Sequence, residues 1–481
     1  MNRSLILYFT GRLISIEALL MLLPAGVAAL YGEDCVWAFI AVILPALLFG
    51  GCFSASFRPK NKTIYAREGF VIVALSWLIF SAIGAMPFVI CGQIPSFIEA
   101  FFETVSGFTT TGASILRDVE SMSKGLLFWR SFTHWIGGMG ILVFIVALLP
   151  GVSDRSIHIL KAEMPGPIMG KLVPRLKDTA KILYLIYIAL TLAQIGLLLA
   201  GGMNLFDSVV HTFGTAGTGG FGTKADSVGS YSPYIQWVIA IFMLIFGINF
   251  NLYFLLLRRR FKDVLRSSEL WVYLCIVGIA TVLVTANIFP LFGDFFTALR
   301  HGAFQVSTII TTTGYATTNF DLWPTFSKVI LLLLMFIGGC AGSTAGGLKV
   351  SRVVILFESI KREFRKLLHP RSVGTVKFEG KSLDSGTLSN VKNYFALYMI
   401  CFFAVFLAIS WEPMSLETHF SAAVSCFNNV GPGLGAVGPA LSYADYSPFS
   451  KLVLSFAMLL GRLEIFPLLL AVSPSVWLKN K

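Results

Sequence analysis

Long apolar stretches, separated by short polar segments, follow one another along almost the whole chain. Runs of about 20 mostly apolar residues have the length that an α-helix needs to cross a bilayer. The pattern therefore predicts an all-α integral membrane protein with ten spans. Their approximate bounds are Ser4–Tyr31, Val36–Phe57, Arg67–Cys91, Lys124–Pro150, Lys181–Gly202, Tyr234–Leu257, Glu269–Phe292, Phe326–Phe357, Val391–Trp411 and Ser447–Val472.

Four shorter apolar segments lie between alternate pairs of spans. Each is too short to cross a bilayer, which indicates a re-entrant or interfacial segment. The unit of span, short segment and span occurs four times, after two N-terminal transmembrane helices. The short segments are Ser96–Thr110, Leu205–Thr215, Phe295–Thr312 and Glu417–Asn428. The predicted units are 1–66 (the two N-terminal helices), 67–155 (repeat 1), 156–266 (repeat 2), 267–385 (repeat 3) and 386–481 (repeat 4).

Composition and charge agree with a membrane protein. The 481 residues are 56% hydrophobic and 13% charged, whereas soluble domains carry about 25% charged residues. The net charge is +12, and most Lys and Arg fall on one side of the predicted topology, which makes that side cytoplasmic. Because these residues lie in short loops, we expect membrane lipid and no nucleic acid as a partner. The seven cysteines form no CxxC pair and indicate neither disulfides nor a metal site.

Each short segment ends in a stretch of small residues that contains glycine. Extended backbone at membrane depth is tolerated only when it is buried or lines water, and glycine allows the positive φ that turns a carbonyl inward. Four such loops around one axis would present rings of carbonyl oxygens that replace the hydration shell of K⁺. The pattern favours one pseudo-four-fold pore whose filter residues are Thr110, Thr111, Gly112, Thr218, Gly219, Gly220, Thr312, Thr313, Gly314, Asn429, Val430 and Gly431.

The second loop, Thr218–Gly222, is similar to the potassium-channel signature TVGYG, with Gly in place of Val and Phe in place of Tyr. The other loops keep mainly the central glycine, so we expect more modest selectivity. For a single loop, helix packing or helix capping by glycine would be the better interpretation. Four loops in register, all on the outer side, favour the pore.

Two features lie below the predicted filter. Gly338, Gly339, Gly342, Gly346 and Gly347 fall within ten residues of one span. Because glycine is costly in a helix interior, we expect a break near mid-membrane, which is either a gate or a tight helix crossing.

A charged residue in the last span is the second feature. Arg462 lies near the middle of that span, where a charge is expensive. Its side chain would raise the barrier to cations in the pore, or else it would pair with Glu464 or extend to the inner face of the membrane. His134 and His211 are expected to pack or form hydrogen bonds.

The chain resembles the TrkH branch of the Trk/Ktr/HKT potassium transporter superfamily over nearly its full length. The motifs that carry the resemblance are Thr110–Ala113, Gly137–Ile141, Ala162–Pro167, Gly338–Thr344, Gly346–Val350, His369–Pro370, Asn428–Gly435 and Gly461–Glu464. One departure is Thr313-Gly314-Tyr315, where close relatives carry Ala-Gly-Phe.

The resemblance implies roles for residues and for partners. Gly112, Gly220, Gly314 and Gly431 would be filter glycines, Gly338–Gly347 an intramembrane gating loop, and Arg462 a residue that restricts permeation with that loop. It also implies a homodimer in the bacterial inner membrane, with one pore in each protomer. Cytosolic TrkA-like subunits that sense nucleotides would bind it. The basic segment Arg352–Lys381 is either their docking surface or a lipid-facing run.

Three classes of function remain to be weighed. Potassium uptake down the electrochemical gradient is the main hypothesis. A proton- or sodium-coupled symporter is the alternative, because such proteins also use broken helices. It is less favoured, since the spans show no obvious buried acid apart from Glu464. We do not expect an enzyme or an organic cofactor, because no paired carboxylates or nucleophile–base pair stands out within the membrane.

Overall fold

The two N-terminal spans pack against each other through glycines. The computed structural model describes residues 2–59, 66–140, 176–371 and 374–474. Helices α1 (Arg3–Leu20) and α2 (Leu22–Leu30) make the first span, and α3 (Cys35–Ser56) makes the second. A Cβ added at Gly11 would come within 2.9 Å of the Gly50 carbonyl oxygen. The glycines therefore allow the backbones of α1 and α3 to approach closely.

The four predicted short segments all form helices, each directly after a long apolar helix. Side chains cap three of them, because Asn204, Asp294 and Ser415 each accept a hydrogen bond from a backbone N–H of the first turn. The long helices are α4 (Ala66–Ile90), α7 (Leu176–Ala200), α12 (Ser268–Phe292) and α16 (Ser385–Ile409). The short helices are α5 (Phe97–Phe108), α8 (Leu205–Gly217), α13 (Phe295–Ile310) and α17 (Leu416–Asn428).

The second span of each repeat differs more from the prediction. In repeat 1 it begins with α6 (Lys124–Gly138), and the remainder of the predicted Lys124–Pro150 lies outside the described residues. In the other repeats it is broken into two helices. These pairs are α9 (Pro233–Phe246) with α10 (Phe250–Leu257), α14 (Thr325–Phe336) with α15 (Val350–Leu368), and α18 (Pro448–Arg462) with α19 (Phe466–Val472).

The segments predicted as spans at 234–257 and 447–472 are therefore each interrupted by a break. Helices α9 and α10 meet at 91°, because Gly247 ends the first helix and the Asn249 side chain starts the next by accepting the Asn251 N–H at 2.9 Å. At the second break, Glu464 and Ile465 have φ of +55° and +66°, a strained conformation for a β-branched residue. The break predicted in the glycine run of repeat 3 is confirmed.

Broken helices also explain the number of complete spans. Six helices in the described part of the chain are long and apolar enough to cross a membrane, or seven if the α9–α10 pair counts as one. A two-stranded hairpin, Lys377–Phe378 with Lys381–Ser382, was not predicted. A five-residue helix, α11 (Phe261–Leu265), lies between α10 and α12. The Ala162–Pro167 motif falls outside the described residues.

Candidate functional site

The four predicted filter loops share one backbone conformation. The first residue of each triplet follows a short helix and has a φ between +55° and +58°, in Thr110, Thr218, Thr312 and Asn429. Two residues later each loop has a glycine with positive φ, which is +79° in Gly112, +78° in Gly220, +87° in Gly314 and +104° in Gly431. Since β-branched residues rarely adopt positive φ, three threonines in this conformation indicate loops that are held firmly by their surroundings.

The loops meet in a closed ring. A Cβ added at the central glycine of any loop would collide with a main-chain carbonyl oxygen of the next loop. Loop 1 therefore touches loop 2, loop 2 touches loop 3, loop 3 touches loop 4, and loop 4 touches loop 1. The pairs are Gly112 with Gly219 O, Gly220 with Thr313 O, Gly314 with Val430 O, and Gly431 with Thr111 O. All twelve predicted filter residues lie in these loops, and no larger side chain fits at the four glycines.

Side-chain hydrogen bonds hold the ring together. The Thr109 and Thr111 hydroxyls lie 2.8 Å apart, and the equivalent Thr311 and Thr313 hydroxyls lie at the same distance in repeat 3. Asn429 Nδ2 donates to Thr111 Oγ1 at 2.9 Å, which joins loop 4 to loop 1. These four threonine hydroxyls are thus engaged with other protein groups.

A buried ion pair supports the outer ends of loops 1 and 2. Arg130 of α6 pairs with Glu103 of α5, and both side chains are almost fully buried. Glu103 Oε2 accepts the Ile115 N–H at 2.9 Å, and the Arg130 guanidinium lies 3.6 Å from the centre of the Phe221 ring. This ion pair was not predicted from the sequence, although charged residues inside apolar segments were the available signal.

The two histidines make hydrogen bonds next to the ring, as expected. His134 Nδ1 lies 2.7 Å from the Gly107 carbonyl oxygen, and His211 Nδ1 lies 2.8 Å from the Asp207 carbonyl oxygen. A Cβ at Gly219 would clash with the His134 ring, so this histidine packs behind loop 2. Within the described ranges, no group of three or more His, Cys, Asp or Glu side chains could hold a metal ion.

The loop between α14 and α15, residues 337–349, lies directly below the ring. The Gly346 N–H donates to Thr312 Oγ1 at 2.6 Å, and a Cβ at Gly346 would come within 2.6 Å of the Asn428 carbonyl oxygen. The loop is also attached to the break in repeat 2, because the Cys340 N–H donates to the Gly247 carbonyl oxygen at 2.9 Å. The predicted gating residues Gly338, Gly339, Gly342, Gly346 and Gly347 are all in this loop.

Arg462 joins the 337–349 loop to the end of α6. Its Nη1 donates to the Thr344 carbonyl oxygen at 2.9 Å, and its Nη2 donates to the carbonyl oxygens of Gly137 and Gly138. Its guanidinium therefore bridges repeats 1, 3 and 4. Glu464, which was the alternative partner of Arg462, instead forms an ion pair with Arg352.

The pairing of Arg352 corrects one expectation. Arg352 is buried, with its guanidinium against Glu464 and 3.9 Å from the centre of the Tyr394 ring. It cannot form part of an exposed docking surface, so the basic surface predicted over 352–381 begins further along α15. Lys361 and Arg365 on that helix are exposed.

Two cavities lie on opposite sides of the ring. The outer one has a volume of about 390 Å³ and is lined by the four glycines and by residues that follow three of them, together with Arg130 and Asp445. The inner one has a volume of about 60 Å³ and is lined by Gly346, Lys349 and Arg462. The outer cavity is thus the larger of these two, and the 337–349 loop and Arg462 both line the inner one.

The structure also reveals a buried acid in the N-terminal region. Glu17 of α1 is fully buried, and neither carboxylate oxygen has a hydrogen-bond partner among the described residues. Its Oε1 lies 3.3 Å from the position that a Cβ at Gly84 of α4 would occupy. The expectation that Glu464 is the main intramembrane acid is therefore wrong, since Glu17 and Glu103 are both buried within helices.

Comparisons with known proteins agree with this architecture. The TrkH family model, described as a cation transport protein, matches residues 37–479. The TrkH potassium uptake protein of Salmonella typhimurium is 39% identical over 476 residues, which are 97% of this chain and 98% of that protein. TrkG of Escherichia coli K12 is 35% identical over 492 residues, covering 99% and 100% of the two chains.

A solved structure gives the same result. The crystal structure of the potassium transporter TrkH from Vibrio parahaemolyticus superposes with a TM-score of 0.89 at 34% identity, over 99% of this chain and 100% of the other. The resemblance found in the sequence motifs is confirmed by these matches. The chain belongs to the TrkH family of cation transport proteins, and it is a transporter rather than an enzyme and a multi-pass protein of the bacterial inner membrane.

Proposed function

We propose that this chain takes up K⁺ through a single-file pore at the centre of the four-loop ring. The observation that carries the proposal is the closed contact of loops 1, 2, 3 and 4, each with the same pair of positive-φ residues. Such a ring offers main-chain oxygens from four directions, which is the arrangement that can replace the hydration shell of K⁺. The twelve loop residues named above would form the filter, and the related Trk proteins carry potassium uptake in their names.

Electrostatics around the ring favour a cation. The short helices α5, α8, α13 and α17 all lead into the ring with their C-terminal ends, where the helix dipole places partial negative charge. The nearby Arg130 is neutralised by Glu103. A K⁺ ion in the ring would therefore meet carbonyl oxygens and helix ends without a fixed positive charge beside it.

The restriction below the ring supports a gate. We propose that the 337–349 loop and Arg462 close the inner side of the pore and that conduction requires the loop to move. Arg462 places a positive charge in the narrow inner cavity, and its hydrogen bond to Thr344 holds the loop there. By the same family resemblance, we propose a homodimer and a cytosolic TrkA-like subunit that controls this movement.

Gly314→Ser tests the filter. A Cβ at Gly314 would collide with the Val430 carbonyl oxygen, so the substitution must displace the junction between loops 3 and 4. We expect a lower preference for K⁺ over Na⁺ in bi-ionic flux measurements on purified protein in liposomes. Gly278→Ser is the matched control, because Gly278 of α12 has no atom within 4 Å of its added Cβ. Unchanged selectivity in Gly314→Ser would remove loop 3 from the filter.

Coupled symport is the second candidate, and Glu17 is the observation that favours it. A buried carboxyl group without a hydrogen-bond partner in the described residues is a candidate for carrying a proton. A channel gives a reversal potential that follows the K⁺ gradient alone, whereas a symporter gives one that shifts with an imposed proton or sodium gradient. A proton-dependent shift that disappears in Glu17→Gln would establish the second candidate.

A further inference from the structure

The cytoplasmic hairpin contains an unusual turn. Its two turn residues, Glu379 and Gly380, have φ of +50° and +72°. Turns with two positive φ values normally use Asn, Asp or Gly, because other side chains are strained in this conformation. A glutamate at the first position therefore suggests that its side chain has a specific task.

The Glu379 side chain binds the beginning of α12. Its Oε1 accepts three hydrogen bonds, from Ser267 Oγ at 3.0 Å, Ser268 Oγ at 3.2 Å and the Glu269 N–H at 3.0 Å. The first N–H groups of a helix lack partners within the helix and favour negative charge. The hairpin turn thus fixes the N-terminal end of α12 to the cytoplasmic surface.

Glu269 in the same helical turn reaches the 337–349 loop. Its side chain is buried, and its Oε1 accepts the Ala341 N–H at 2.7 Å and the Ser351 N–H at 3.1 Å. One oxygen therefore holds both the middle of the loop and the first turn of α15. The loop is attached on one side to Thr312 of the ring, and on the other to this carboxylate.

The hairpin itself is attached to the helix that follows the loop. Val376 and Phe378 are buried in a small apolar cluster with Ile355 of α15 and with Leu388 and Val391 of α16. Since Glu379 is exposed, the turn is open to contact from the cytosol. A displacement of the hairpin would be transmitted through Glu379 to the first turn of α12, and so to Glu269.

We propose that Glu269 is the positioning residue that keeps the 337–349 loop under the ring, and that the hairpin turn at Glu379 sets the position of Glu269 from the cytoplasmic surface. The effect on flux rests on the proposed function, because it requires that the loop restricts permeation. The effect on the position of the loop does not rest on the proposed function. Loop position and K⁺ flux are therefore measured separately.

Loop accessibility is the direct readout. Ser343 lines the inner cavity, so the rate at which a thiol reagent modifies Ser343→Cys in detergent-solubilised protein reports the position of the loop. Peptide mass spectrometry distinguishes this modification from that of the seven native cysteines, of which Cys52 and Cys275 are exposed. Because hydrogen bonds to charged groups are among the stronger ones in proteins, we expect Glu269→Ala to raise this rate by about tenfold or more. Glu269→Gln retains an oxygen acceptor for both amides and should remain close to the Ser343→Cys parent.

The hairpin turn is tested in the same background. Glu379→Ala should raise the modification rate when Glu269 is present and add little in combination with Glu269→Ala, because it acts through that residue. Asp384→Ala is the matched control. Asp384 also caps a helix on this surface, by accepting from the Thr387 N–H at 2.9 Å, but its described hydrogen bonds do not reach the loop.

The outcomes separate the two proposals. Unchanged loop accessibility in correctly folded Glu269→Ala, or equal effects of the Gln and Ala variants, would overturn the role of Glu269. Additive effects of Glu379→Ala and Glu269→Ala would overturn the link to the hairpin. Raised accessibility with unchanged K⁺ flux would leave the positioning role intact and contradict the proposed gate.

Discussion

Replacing Arg462 by alanine perturbs the narrowest part of the proposed pore. The substitution removes the hydrogen bond to the Thr344 carbonyl oxygen and those to Gly137 and Gly138 at the end of α6. It also removes one of the two basic side chains that line the inner cavity, the other being Lys349. Both changes should make it easier for the 337–349 loop to move and for a cation to pass.

The size of each effect follows from general magnitudes. A hydrogen bond to a charged group contributes about 1.5–3 kcal/mol, so losing the Thr344 contact shifts the loop equilibrium roughly 10- to 100-fold, at about 1.4 kcal/mol per factor of ten. A positive charge roughly 6 Å from a passing K⁺ costs about 3 kcal/mol at an effective dielectric constant near 20. We therefore expect at least a tenfold rise in K⁺ flux.

A series of substitutions distinguishes the two effects. Flux of K⁺ into liposomes is measured for Arg462→Ala, Arg462→Gln and Arg462→Lys, with Lys262→Ala at an exposed position of α11 as the control. Lysine retains the charge but not the planar arrangement of donors, so it should raise flux less than alanine does. Thermal unfolding and size-exclusion chromatography establish that each variant is folded.

One result would refute this reasoning. If Arg462→Ala folds normally and its flux is equal to or below that of the unmodified protein, Arg462 is not a barrier and the narrow inner cavity has another purpose. If lysine and alanine raise flux equally, the hydrogen bonds matter and the charge does not.

The remaining predictions concern stability. Arg130→Ala leaves the Glu103 carboxylate buried without its ion-pair partner, and should lower the free energy of unfolding by about 3–5 kcal/mol, as measured by chemical denaturation in detergent. The Arg130→Ala/Glu103→Ala double variant should lose less free energy of unfolding than the sum of the losses in the two single variants. Gly461→Ala places a Cβ against the Phe427 carbonyl oxygen and should cost about 1–3 kcal/mol. Gly196→Ala, where no atom lies within 4 Å of the added Cβ, should be neutral or slightly stabilising. An equal loss of free energy of unfolding in Gly461→Ala and Gly196→Ala would contradict the packing argument.

Local signals predicted the positions of the helices and of the ring loops. Hydropathy located the long helices and the four short ones, because crossing or entering a bilayer imposes length and composition on each segment separately. The four loops were found because positive φ at Gly112, Gly220, Gly314 and Gly431 is a local requirement that glycine meets. Their closure into one ring depends on contacts between distant segments, which the sequence implied only through the repeat.

Other features depend on long-range contacts that no local pattern specifies. Arg462 could be located in the last span, but its binding to the Thr344 carbonyl oxygen depends on how repeats 3 and 4 pack. The pairing of Glu464 with Arg352 rather than with its neighbour in sequence is of the same kind. The break between α9 and α10 was missed although Gly247 and Asn249 are typical helix-ending and helix-starting residues, because the hydropathy of the segment is continuous.

The most direct test of the central claim is to locate the permeating ion. Crystals of this protein grown in Rb⁺ in place of K⁺ should give an anomalous diffraction peak on the axis between Gly112, Gly220, Gly314 and Gly431, with main-chain oxygens of all four loops around it. A peak coordinated by fewer than four loops, or no peak inside the ring in crystals of protein that transports Rb⁺, would contradict the proposed pore.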